Sequence, residues 1–221
     1  MPQLSHHHIA REPRRKPSDS NERPPAVLLL HGVRSNEQDL LGLTPALDER
    51  LYTISVRAPL TLGPGAYGWY HVEFTPTGFL IDEAEAEQSC RNLISFIDEV
   101  KREYPIDPDR LFLMGFSQGC IMSVGAATAS PKSVAGVVGM SGRMLPSFEK
   151  NRASDDDLKD LPIIAVHGRQ DQVIPISDGR DMRDFLKSLP VDLTWREYDM
   201  GHYVTPESLR DINDWLRKRL D

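Results

Sequence analysis

Short apolar runs alternate with longer stretches whose apolar positions recur every three or four residues, and this alternation limits the fold more than any other feature. Ala26–Leu30, Leu111–Met114, Val134–Val138 and Ile163–Val166 are unbroken, as strands covered on both faces require. Tyr52–Arg57 alternates and carries β-branched residues, and Leu193–Tyr198 reads as a further strand. Between these runs lie helical patterns. Asp82 can cap a helix to about Tyr104, with Leu93, Phe96, Ile97 and Val100 on one face and Pro105 and Pro108 beyond its end. Ser117–Ala129, Ile176–Leu189 and Pro206–Leu220 follow, and Leu40, Leu43 and Leu47 place a helix over 37–49, weakened in its middle by Pro45. That order predicts an α/β class: a single-domain, mostly parallel sheet with helices on both faces and no large lid domain.

Two segments fall outside the alternation. Residues 1–25 are rich in Pro and Arg and lack the apolar stretch of a secretory signal, so they read as an extended, mobile lead-in to a domain over 26–221. Their histidines, His6 to His8, read as a solvated tract or as a metal-binding one. Residues 61–80 carry Pro64, Pro76 and four glycines, which predicts a long irregular loop with a short hairpin around Trp69–Phe74.

Composition excludes several classes. Across 221 residues, 26 Lys and Arg stand against 33 Asp and Glu, and a net charge of −7 disfavours nucleic acid as a partner. No stretch approaches the roughly 20 apolar residues that span a bilayer. Cys90 and Cys120 form neither a CxxC pair nor a disulfide framework, which fits a reducing, cytoplasmic setting. Outside the histidine tract no compact His/Asp/Glu cluster has ligand spacing, so neither metal nor other cofactor is expected.

In sheets of this kind reactive groups lie beyond the carboxyl ends of the strands. After Leu111–Met114 comes Gly115-Phe116-Ser117-Gln118-Gly119, a GxSxG string between a strand and a helix. A sharp strand-to-helix turn there would strain the backbone, make any Cβ two residues before or after the serine collide, and present Oγ at the sheet edge. The same string also suits a serine N-cap flanked by packing glycines. A nucleophilic serine needs a base, normally a histidine oriented by a carboxylate. Only His202, after the last strand, follows a plausible acid in the order Ser, acid, His. Asp171, in the loop after Ile163–Val166, is that acid, with Asp199 and the run Asp155–Asp157 as competitors. Met140 and Met144 close another strand end, as packing or, for Met144, as a substrate contact.

The chain resembles the α/β-hydrolase superfamily, and within it the phospholipase/carboxylesterase group of acyl-protein thioesterases and small bacterial esterases. The residues carrying the likeness are LLLHGVRSNEQDL (28–40), GWY (68–70), GFSQG (115–119), HGRQDQVIP (167–175) and GHYVTPE (201–207). The resemblance implies Ser117 as nucleophile, Asp171 as orienting acid and His202 as general base. It implies an oxyanion site from the backbone N–H groups of Val33 and Gln118, with Trp69 and Val173 lining the substrate side. Two features depart from the pattern: Val33-Arg34-Ser35-Asn36 is less glycine-rich than many relatives, and His71 stands where an acidic or small residue often follows the aromatic pair.

The expected chemistry is attack of Ser117 Oγ on an acyl ester, a small-molecule partner, with His202 moving the proton. The leading expectation is a serine carboxylesterase for short- to medium-chain esters. A thioesterase or lysophospholipase on the same triad and a non-catalytic binding protein on the same scaffold are the alternatives.

Overall fold

The computed structural model describes residues 2–19, 21–75 and 78–221. In chain order the strands and helices are β1 (His8–Arg11), β2 (Ala26–Leu30), β3 (Tyr52–Val56), β4 (Leu60–Gly63), β5 (Ala66–Gly68), β6 (Val72–Thr75), β7 (Gly78–Ile81), α1 (Glu83–Glu103), β8 (Leu111–Phe116), α2 (Gln118–Ala129), β9 (Gly136–Met140), the short α3 (Pro146–Lys150) and α4 (Asp155–Leu158), β10 (Pro162–Gly168), α5 (Ile176–Lys187), β11 (Asp192–Tyr198) and α6 (Pro206–Leu220). Seven strands form one sheet in the order β1-β3-β2-β8-β9-β10-β11. Every pair is parallel except β1 with β3.

The sheet separates two cores, and β2 shows why its sequence is continuously apolar. Leu28 and Leu30 pack on the face covered by α1, α2 and α5, whereas Val27 and Leu29 pack on the face covered by α6. Successive side chains point to opposite faces, so a strand with helices on both sides must be apolar at every position. Helix α1 is amphipathic and starts where Asp82 accepts a hydrogen bond from the Glu85 N–H. Helix α2 is buried around its circumference, which is why its residues are small and apolar with no polar stripe.

Three local expectations change. Residues 37–49 form two 3-10 turns, Asp39–Gly42 and Thr44–Ala46, because Pro45 cannot donate to a continuing helix. The described part of 61–80 is not irregular: β4 pairs with β5 and β6 with β7, giving two small antiparallel hairpins joined through Trp69 and Tyr70. The hairpin expected around Trp69–Phe74 thus lies one element later, and Pro76 lies outside the described residues.

The third change concerns the lead-in. His8–Arg11 is the antiparallel edge strand of the main sheet, paired from His8 with Val56 to Arg11 with Thr53. Its histidines are not a solvated tract: His6 and His8 are buried, and only the His7 side chain is exposed. The His6 ring lies 5.1 Å from Phe96, and His8 accepts a 2.6 Å hydrogen bond from the Tyr104 hydroxyl while donating to the His6 carbonyl. Among the described residues no His, Cys, Asp and Glu group is arranged to hold a metal ion, and no helix is long and apolar enough to cross a membrane.

Candidate active site

The site forms where β2, β8, β9, β10 and β11 end on one rim of the sheet. Ser117 follows β8 with φ 55° and ψ −119°, a left-handed backbone that side-chain-bearing residues seldom adopt. The turn is held because the Ser117 N–H donates to the Met140 carbonyl at 2.9 Å. It is possible only with flanking glycines: a Cβ on Gly115 would sit 2.1 Å from the Gly119 carbonyl oxygen, and one on Gly119 would sit 2.0 Å from that of Leu30. The serine is therefore fixed by strain that its surroundings enforce.

His202 and Asp171 arrive from neighbouring strand ends. Asp171 follows β10 and His202 follows β11, and their loops are tied by hydrogen bonds from Arg169 N–H to the Tyr198 carbonyl and from Gln170 N–H to the Met200 carbonyl. His202 Nε2 lies 2.9 Å from Ser117 Oγ, and His202 Nδ1 lies 2.7 Å from Asp171 Oδ2. An ionised carboxylate only accepts, so Nδ1 carries the proton and Nε2 offers its lone pair to the serine hydroxyl. The Phe116 ring, 4.8 Å away, packs against the imidazole.

Asp171 is buried, and burial alone would raise its pKa. The His202 hydrogen bond and the backbone N–H groups of Ile174 and Val173, both 2.9 Å from Oδ1, outweigh that penalty and hold it below the usual value. His167 supports this loop from beneath. Its Nε2 donates to the Ile174 carbonyl at 2.9 Å, and burial lowers its pKa, so the ring sits neutral under the carboxylate.

The opposite wall of the site begins after β2. His31 donates from Nδ1 to the Gly32 carbonyl and accepts at Nε2 from the Ala58 N–H, fixing the start of the loop. Arg34, at φ 63°, donates its N–H to the Tyr67 carbonyl, while Glu37 and Arg57 pair through two hydrogen bonds of 2.6 and 2.7 Å. Among the described residues neither the Val33 nor the Gln118 backbone N–H has an acceptor, and both residues line the cleft that holds Ser117. Unpaired donors beside a nucleophile at a helix start can bind a developing oxyanion. The Gln118 side chain has a separate job: Oε1 accepts from Trp69 N–H at 2.7 Å and Nε2 donates to the Tyr70 carbonyl at 2.8 Å.

The cleft is open and mostly apolar, with Val72, Phe79, Ile81, Ile121 and Val173 on its walls. Val173 thus stands where the resemblance put a substrate contact. Trp69 does not: it is fully buried, donates its indole N–H to the His31 carbonyl, and leaves its neighbour Tyr70 to face the cleft. Met144 is also a core residue, buried in the α1–α2 core. Tyr70, Arg143 and the β6–β7 side chains were missed from sequence. Arg143 carried a findable signal, since it directly follows the strand-end turn Ser141-Gly142.

A mostly parallel sheet flanked by helices, with a serine, histidine and carboxylate meeting beyond its strand ends, defines an α/β-hydrolase. Over residues 17–220 the sequence matches the phospholipase/carboxylesterase family, and the chain belongs to that family. The matched range leaves β1 outside. Among curated relatives, acyl-protein thioesterase 1 of Gibberella zeae is 35% identical over 118 residues, a match covering 52% of this chain and 50% of that protein's length. Carboxylesterase SOBER1 of Arabidopsis thaliana is 27% identical over 73% of each chain. Among solved structures, esterase PE8 superposes with a TM-score of 0.82 at 24% identity, covering 98% of this chain and 99% of that one.

Proposed function

We propose that this protein is a serine carboxylesterase that hydrolyses short- to medium-chain acyl esters through an acyl-enzyme intermediate. The hydrogen-bonded chain from Ser117 through His202 to Asp171 carries the reading. Ser117 Oγ attacks the ester carbonyl as its proton passes to His202 Nε2, and the Asp171 carboxylate stabilises the imidazolium that results. The carbonyl oxygen takes up negative charge, and the N–H groups of Val33 and Gln118 receive it, each such donor being worth about 3 kcal/mol in comparable sites. Collapse of the tetrahedral species expels the alcohol, protonated by His202. Water, deprotonated by the same imidazole, then releases the acid and regenerates the serine hydroxyl.

A small, open and mostly apolar cleft beside Ser117 supports short or medium acyl chains. Thioesters are the second reading, supported by relatives named acyl-protein thioesterase. A cytoplasmic setting is proposed on the two cysteines, which are free and buried.

Hydrolysis of p-nitrophenyl acetate, butyrate and octanoate by the native protein, Ser117→Ala and Asp171→Asn tests the mechanism. Ser117→Ala and Asp171→Asn are each expected to lower kcat by roughly 10⁴-fold or more. A fluorophosphonate probe is expected to label Ser117. Hydrolysis that survives Ser117→Ala overturns the reading, and parallel rates on a matched thioester decide between the two substrate classes.

A further inference from the structure

Among the described residues lining the cleft beside Ser117, Arg143 carries the positive charge. Arg143 follows β9, the strand next to the one that ends in Ser117, and its origin is fixed by the turn before it: Ser141 adopts φ 52° and donates its N–H to the Val166 carbonyl at 2.9 Å. From there the side chain enters the cleft among Tyr70, Phe79 and Ile121. Asp178, in the first turn of α5, takes Nη1 at 3.0 Å and so sets the orientation of the guanidinium. The Phe79 ring lies 5.7 Å from Cζ and adds a cation–π contact.

What Asp178 leaves open is informative. Arg143 Nε is buried and, among the described residues, has no hydrogen-bond partner. The side chain is nonetheless 30% exposed, so a carboxylate in the cleft would meet the Nη end of the guanidinium rather than the buried Nε. Esters with purely hydrocarbon chains offer the exposed part of this cation nothing beyond its pair with Asp178. The phenol of Tyr70, buried in the same cleft and raised in pKa by that burial, stays protonated beside it and is partly offset by the Arg143 charge.

We propose that Arg143 is a specificity residue and that the preferred substrates are esters bearing a free carboxylate, paired with the exposed end of its guanidinium while Ser117 attacks the ester carbonyl. This rests on the serine-esterase reading of the same cleft. Asp178 keeps the empty site near neutrality, so an uncharged ester can enter but gains no ion pair. A carboxylate on either side of the scissile bond satisfies the same donors.

Two substrate pairs separate the two sides. Mono-4-nitrophenyl glutarate against 4-nitrophenyl pentanoate places the charge on the acyl side. 4-(Butyryloxy)benzoate against its methyl ester places it on the alcohol side. For at least one pair the ratio of kcat/KM, charged over neutral, is expected to fall at least tenfold in Arg143→Gln, with Arg143→Lys, which keeps the charge and loses the fork, recovering only part of it. Ratios unchanged in both pairs overturn the proposal.

A binding measurement stands apart from turnover. Calorimetric titration of Ser117→Ala with monomethyl glutarate is expected to show saturable binding that weakens at least tenfold in Ser117→Ala/Arg143→Gln, provided thermal melting shows both proteins folded. Equal binding by the two, or none by Ser117→Ala, also overturns it. Loss of the esterase reading appears differently, as a native protein that hydrolyses none of the four esters yet still binds monomethyl glutarate through Arg143.

Discussion

Ser117 occupies a backbone conformation that only its neighbours make tolerable. Gly119 bears the tightest of those contacts, since its Cβ would fall 2.0 Å from a main-chain oxygen of β2. Backbone cannot yield as a flexible side chain can, so Gly119→Ala is expected to cost about 3 kcal/mol or more of unfolding free energy, measured by urea denaturation. A loss under 1 kcal/mol would show that the elbow relaxes freely. Asp171 adds a pH dependence of known sign. Its pKa is depressed on folding, so its contribution to stability is complete above the ordinary carboxylate range and disappears as pH falls through the lower, folded value. Ser117, Asp171 and His202 stood out in sequence because each sits in a loop directly after a strand, and the structure brings the three within hydrogen-bond reach. Trp69 misled because an aromatic near a strand end is equally a core residue, while Met144, read as packing or as a substrate contact, is packing.

At the scale of elements, the walls of the cleft hang on a few polar pairs. Arg57 holds the buried Glu37 carboxyl down at about 2, and together they brace the loop that carries Val33. Glu37→Gln is expected to cost about 2 kcal/mol at pH 7, allowing for an Arg57 side chain partly open to water. Because the folded pKa is the lower one, the difference between native and variant should vanish as pH falls from about 4.5 towards 2. A difference that persists at low pH would mean that shape rather than charge holds the loop. Gln118→Ala removes both bonds to the Trp69–Tyr70 main chain and is expected to cost about 2 kcal/mol. It should also speed amide exchange across β5 and β6, which hydrogen-exchange mass spectrometry reads directly. One hairpin was expected around Trp69–Phe74, but its bounds and the β4–β5 hairpin were not legible, because strands this short lack enough alternation to outweigh their prolines and glycines. Their closing pairs are main-chain hydrogen bonds, which any side chain permits.

For the molecule as a whole, parallel layering followed from strand composition, whereas the reversed edge strand did not. β1 contains His8-Ile9-Ala10-Arg11, a pattern that reads as polar linker until its histidines are seen against Phe96 and Tyr104. Removing residues 1–11 would uncover one edge of β3, whose five residues are all buried, and is expected to lower Tm and promote aggregation; unchanged melting and monodispersity would count against a structural role for β1. Burial also lowers the pKa of His6, His31 and His167. The unfolded chain therefore binds protons first as pH drops below about 6.5, and stability is expected to decline between pH 7 and 5. Denaturation midpoints across that range check this, and a flat profile would contradict it.

The junction at Gln118 has a further consequence. One residue lines the cleft beside Ser117 while its amide side chain grips the stem from which both hairpins project. That grip reaches only main-chain atoms of Trp69 and Tyr70, so it is indifferent to what the hairpins carry. Substitution at Val72, Phe79 or Ile81 would then reshape that wall of the cleft without disturbing the grip beneath it.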